Sequence, residues 1–191
     1  MNTLLCLLFM LSLTAVVQAQ NGGATIILDN SAFNTPVYFW TGYGPVGYPS
    51  AGGGAYIQIL SRPSGSTDVF TVLKSTYYQS TDIPFENNGM FYGSVCYDIA
   101  GVKPYANAEF YARAWIGAVT WEKAVDQSSA FIGMSPVFED KTGSWFSGTL
   151  PDPGVLYHFP SFTIMPVPEP GTMALFALGG FFLLAGKIKI S

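Results

Sequence analysis

Ala108-Glu109-Phe110-Tyr111-Ala112-Arg113-Ala114-Trp115 is the stretch on which the fold class turns. Phe110, Ala112 and Ala114 fall on one side of a two-residue repeat, and Glu109, Tyr111, Arg113 and Trp115 fall on the other. A period of two belongs to a strand, whose successive side chains point to opposite faces, so the stretch predicts a half-buried β-strand over residues 109–116. Tyr56-Ile57-Gln58-Ile59-Leu60 alternates in the same way.

The other apolar segments are short, rich in Val, Ile, Tyr, Phe, Trp and Thr, and bounded by Gly, Pro, Asn, Asp and Ser. They predict strands over 25–28, 37–40, 56–60, 69–73 and 90–97, with weaker ones at 136–138 and 157–164. The intervening clusters at 42–54, 61–68 and 86–89 carry turn chemistry, with Gly supplying positive φ and Pro fixing it. The expected domain is all-β, an antiparallel β-sandwich with jelly-roll and immunoglobulin-like topologies both open. One or two helical turns fit 120–127, where Thr120 stands as N-cap and Glu122 lies near the positive end of the dipole. No repeat at a fixed period points to a solenoid or propeller.

Both ends depart from this pattern. Residues 4–17 are nearly all Leu, Phe, Met, Ala and Val and lead into Val17-Gln18-Ala19, whose small residues suit a signal-peptidase cut after Ala19. Residues 1–19 are therefore expected to be a signal peptide, read by the general secretion machinery and signal peptidase. Asn2 and Thr3 leave the terminal amine as its positive charge. At the other end, Met165-Pro166-Val167-Pro168-Glu169-Pro170-Gly171 cannot be helical, because each proline lacks a backbone donor and biases its predecessor toward extended geometry. From Thr172 the chain is uncharged and apolar to Ala185, about 14 residues against the roughly 20 of a comfortable membrane span. Lys187 and Lys189 then favour retention of this end on the cytoplasmic side.

Val167-Pro168-Glu169-Pro170, a short hydrophobic helix over 172–185 and the basic tail Lys187 and Lys189 together resemble the PEP-CTERM sorting signal of Gram-negative bacteria, the exosortase substrate class. The resemblance covers about the last 25 residues, taken as 166–191. It implies threading through the inner membrane, transient anchoring there by a C-terminal transmembrane helix, and cleavage near the motif by an exosortase-type membrane transpeptidase. Pro168, Glu169 and Pro170 are substrate residues in that reading. The protein would then reside in the extracytoplasmic cell envelope or extracellular matrix.

Residues 20–165 remain as one β-rich extracytoplasmic domain, long enough for one core. They hold eleven acidic residues against six basic ones, in a whole chain of net charge −4. Nucleic acid is excluded as a partner, since phosphate binding needs clustered cations and no basic run exists. Cys6 falls inside the signal peptide, so Cys96 is the one thiol left, and its apolar, aromatic setting predicts a small buried hydrophobe. His158 is the sole histidine. Without a second imidazole or a Cys-x-x-Cys no zinc site assembles, and His158 reads as a strand histidine near the surface. No Gly-x-Ser-x-Gly elbow is present. Gly52-Gly53-Gly54 lacks the Lys and Ser/Thr of a phosphate loop. Glu139-Asp140 and Asp152 lack calcium-loop spacing and read as solvated loop acids. No metal, cofactor or catalytic residue is expected.

Aromatics are the compositional excess, at 16 % of the chain. Trp115, Trp121 and Trp145 are the candidate ligand-binding residues, offering flat faces to sugar rings together with Trp40, Tyr43, Tyr48, Tyr77 and Tyr78. The competing reading packs these rings into the sandwich core. Three functions are thus expected in order: a non-enzymatic surface or matrix protein associated with exopolysaccharide, as the resemblance implies; a carbohydrate-binding module using exposed aromatics; and a secreted hydrolase with acidic groups such as Glu139 and Asp152.

Overall fold

The computed structural model describes residues 23–40, 48–49, 54–86, 88–96, 99–144 and 152–167. The signal peptide with Ala19, Trp145, the Pro168-Glu169-Pro170 motif, the helix at 172–185 and Lys187 and Lys189 lie outside the described residues.

The chain folds mostly as β-sheet. Strand β7 (Asn107–Ile116) is the spine of the larger sheet. It runs antiparallel to β3 (Ala55–Pro63), in register from Ala55 opposite Ile116 to Pro63 opposite Ala108. Two short strands share its other edge: β8 (Phe131–Met134) pairs with the Ile116 end and β9 (Phe138–Lys141) with the Asn107 end. Pro136, having no N–H, breaks the ladder between them. Ser135 bridges the break: its N–H donates to the Ala112 carbonyl at 2.9 Å, and its hydroxyl accepts from the Ala112 N–H at 2.8 Å. The weak strand expected at 136–138 is thus two strands flanking the proline.

The larger sheet continues through β12 (Thr163–Pro166), which is antiparallel to β8 and parallel to β2 (Tyr38–Phe39). On the far side β4 (Thr71–Val72) and β5 (Ile83–Pro84) pair with β3. The second sheet centres on β1 (Ala24–Asp29), flanked by β6 (Tyr92–Cys96), β10 (Gly143–Ser144) and β11 (Gly154–Val155). Pairing of β1 with β11 is parallel, as is β12 with β2, so the sheets are mixed and the expected wholly antiparallel pattern is corrected. Residues 157–158, expected to begin a strand, form a turn, and the strand starts only at Thr163.

One apolar core is shared by both sheets. Ala24, Ile26 and Leu28 of β1 meet Ile57 and Ile59 of β3 and Ala108, Phe110, Ala112 and Ala114 of β7. The face predicted for Phe110, Ala112 and Ala114 is therefore the core face. Phe85, Phe91, Phe159, Phe138 and Phe110 form a chain of ring contacts through this core, at centroid distances from 5.3 to 6.3 Å. Cys96 is buried in the same cluster.

The opposite face of β7 changes character along its length. Near Glu109 it is polar: Arg62 Nη2 pairs with Glu109 at 2.7 Å, and the guanidinium lies over Phe70. Toward Trp115 that face is covered by α1 (Trp121–Asp126), whose N-cap Thr120 accepts from the Lys123 N–H as expected. Trp121 and Ala124 of α1 join Trp115 and Ala130 in a second buried cluster.

Candidate functional site

A groove of about 430 Å³ opens where β9, β10 and β11 meet. Gly143 and Gly154 form its floor, and side chains are excluded at both: a Cβ on Gly143 would overlap the Asp152 carbonyl oxygen, and one on Gly154 the Lys141 carbonyl oxygen. Two glycines here let β10 and β11 approach to backbone distance.

Asp140 is the groove's buried acid, at 4 % exposure. It shares the inward phase of β9 with Phe138, which places a carboxylate where alternation calls for an apolar residue. His158 compensates it. The His158 backbone N–H donates to both carboxylate oxygens, at 3.2 and 3.0 Å, and ring Nδ1 lies 2.7 Å from Oδ1. Burial pushes the Asp140 carboxyl above the usual aspartate range, and the bonds from His158 pull against that rise. In the neutral ring this pairing places the proton on Nδ1 and leaves Nε2 as the acceptor. The imidazole itself is 66 % exposed at the groove.

Tyr157 stands beside it, 61 % exposed yet braced edge-on by Phe33 at 4.7 Å and by His158 at 5.0 Å. Tyr105 lines the groove with its backbone in the left-handed region, φ 59°. That conformation is uncommon for a bulky side chain. Lys141 and Asp152 add one charge of each sign. The Thr142 hydroxyl is engaged by the carbonyls of Lys103 and Ala106, at 3.1 and 2.9 Å. Among the described residues no three His, Cys, Asp or Glu side chains group as metal ligands.

The sequence-chosen residues fall elsewhere. Trp115 is fully buried and Trp121 is 9 % exposed, because α1 closes over the face of β7 that alternation left to solvent. Neither can present a ring face to a sugar, which corrects their reading as exposed binding residues. Among the described residues the exposed large aromatic rings are tyrosines: Tyr48, Tyr77, Tyr92, Tyr105 and Tyr157. Glu139 is bonded to the Ser64 hydroxyl and, at 2.7 Å, to the Asn107 amide. It does not border the groove that holds Asp152, so the structure does not bring that acid pair together. His158 was legible only as a surface histidine. An acid in the apolar phase of β9 is the signal for its partner.

The second functional feature is where the chain leaves the fold. β12 ends at Pro166, and the Val167 N–H still donates to the Ala130 carbonyl at 3.0 Å, with the side chain packed on the Trp115–Trp121 cluster. Through β8 this exit lies beside the Ile116 end of β7, whereas Asp140 lies opposite Ala108 at the other end.

Residues 166–189 match the family model of the PEP-CTERM protein-sorting motif. The chain carries this signal, beginning at the last residue of β12. No curated protein and no solved structure matches the chain. The motif marks an exported protein that transits the membrane and is sorted by exosortase, a membrane transpeptidase. Among the described residues no helix is long and apolar enough to cross a membrane.

Proposed function

We propose that the chain is a non-enzymatic protein of the cell surface or extracellular matrix, delivered by its C-terminal signal and retained in exopolysaccharide. In this reading signal peptidase cuts after Ala19, the segment at 172–185 holds the protein transiently in the inner membrane, and exosortase cuts near Pro168-Glu169-Pro170. The observation that carries it is the match at 166–189, set directly against the end of a core strand. A single acidic, aromatic-rich domain joined to such a signal suits a matrix component better than a nucleic-acid partner.

Intact-mass analysis with fractionation of the native host tests it, comparing the wild type with a Pro168→Ala, Glu169→Ala, Pro170→Ala variant. The expected mature species starts near Gln20, lacks Lys187 and Lys189, and is found with extracellular polysaccharide, while the variant stays in the inner membrane. A wild type that keeps Lys187 and Lys189, with a variant that fractionates identically, would show a plain tail anchor and refute the proposal.

A further inference from the structure

We infer that the groove between β9, β10 and β11 is a saccharide-binding site, with Tyr157 as the stacking platform and His158, held by Asp140, as its fixed hydrogen-bonding partner. This rests on the proposed retention in exopolysaccharide and names the surface responsible.

Three features of the site point to a polyhydroxylated ring. Tyr157 exposes most of its area yet is braced by Phe33 and His158, so its ring is already oriented before a ligand arrives. An oriented aromatic face offers apolar contact to the C–H face of a sugar with little entropy left to lose. His158 next to it is fixed through both its backbone N–H and Nδ1 on a carboxylate that is itself buried. That arrangement leaves Nε2 to meet a ligand hydroxyl in one orientation. Tyr105, held in its left-handed backbone on the same groove, adds a second phenol.

Charge selects within that class. Lys141 and Asp152 set opposite signs on the groove, and Asp140 faces His158. Such a balance gives no preference for a phosphate or a polyanion, so the ligand is a neutral sugar unit of a longer chain. A volume of about 430 Å³ is within the range of ligand clefts and is open at the surface, as recognition along a polymer requires.

The test uses the full chain on an array of neutral, uronic-acid and phosphorylated oligosaccharides, with pull-down on the host's isolated exopolysaccharide. The wild type should retain on neutral glycans and on the host polymer. Tyr157→Ala and His158→Ala should each weaken retention roughly tenfold, Tyr157→Phe should keep it, and Tyr77→Ala, an exposed ring off the groove, should leave it unchanged. Tyr157 is exposed, and in His158→Ala the backbone N–H of residue 158 still bonds Asp140, so unchanged circular dichroism is expected for the variants. Binding that survives both substitutions would overturn the groove while leaving polymer retention by another surface intact. Retention confined to uronic or phosphorylated glycans would overturn the neutral-sugar assignment. No retention on any glycan, from a protein correctly processed in the host, would overturn the site without touching the sorting reading.

Discussion

Replacing Trp115 with alanine separates a core tryptophan from a surface one. The indole is fully buried, packs between Tyr56 at 5.7 Å and Trp121 at 6.2 Å, and donates from Nε1 to the Ala118 carbonyl at 3.1 Å. Truncating a buried tryptophan costs about 3–5 kcal/mol in transfer and cavity terms. The lost hydrogen bond falls within that range, at about 1 kcal/mol. With a urea dependence of roughly 2 kcal/mol per molar, a loss of about 4 kcal/mol lowers the unfolding midpoint by about 2 M. Urea titration followed by far-UV circular dichroism reads this without depending on the fluorophore that has been removed. Tyr111→Ala, on the same face of β7 but beyond the cover of α1, should lower the midpoint by much less. A surface residue changes stability by about 0.5 kcal/mol at most, so a Trp115→Ala midpoint within about 0.3 M of wild type would refute the burial of this face and the docking of α1.

Two further outcomes are expected. Thr25 in β1 is fully buried, and its hydroxyl finds no hydrogen-bond partner among the described residues; Thr25→Val should therefore raise stability by about 1 kcal/mol in the same titration, and a loss of that size would show the hydroxyl to be bonded. The hydrogen bond from Arg62, aided by the Gly65 N–H, holds the Glu109 carboxyl below the usual glutamate range, so folded Glu109 binds fewer protons than unfolded Glu109 just below the ordinary glutamate pKa. Its contribution is present above that value and is lost as pH falls through the depressed one. Asp140, raised by burial, has the opposite sign, losing stability as pH rises through its folded value. Arg62→Leu should accordingly reduce the gain in urea midpoint on going from about pH 3 to about pH 6, and an unchanged pH profile would refute the pairing.

What the sequence discloses here depends on how far apart the interacting residues are. β7 and its core face are local properties, written in the alternation of Phe110, Ala112 and Ala114, and the structure agrees with them. Burial of Trp115 is not local: it depends on α1 folding back over the outer face, and alternation cannot tell a solvated face from one covered by a later helix. The parallel pairings are equally hidden, since each joins segments distant in the chain through a strand of only two residues, β11 in one and β2 in the other. The groove was missed for the same reason. Asp140 and His158 stand 18 residues apart and meet only because Gly143 and Gly154 admit a close strand contact. The sorting signal, in contrast, is contiguous, so its reading needed no tertiary information.

The seam between Val167 and Ala130 sets the length of a leash. From Val167 to Thr172, where the uncharged apolar run starts, five peptide units reach at most about 18 Å, whatever conformation they take. The spine β7 alone, ten residues long, extends over about 30 Å. With 172–185 in the bilayer as proposed, the end bearing Ala130 and Ile116 would stay within that reach of the lipid until the signal is cut. Asp140 and His158 sit at the other end of the spine, so the proposed tether would leave the groove on the part of the domain farthest from its point of attachment.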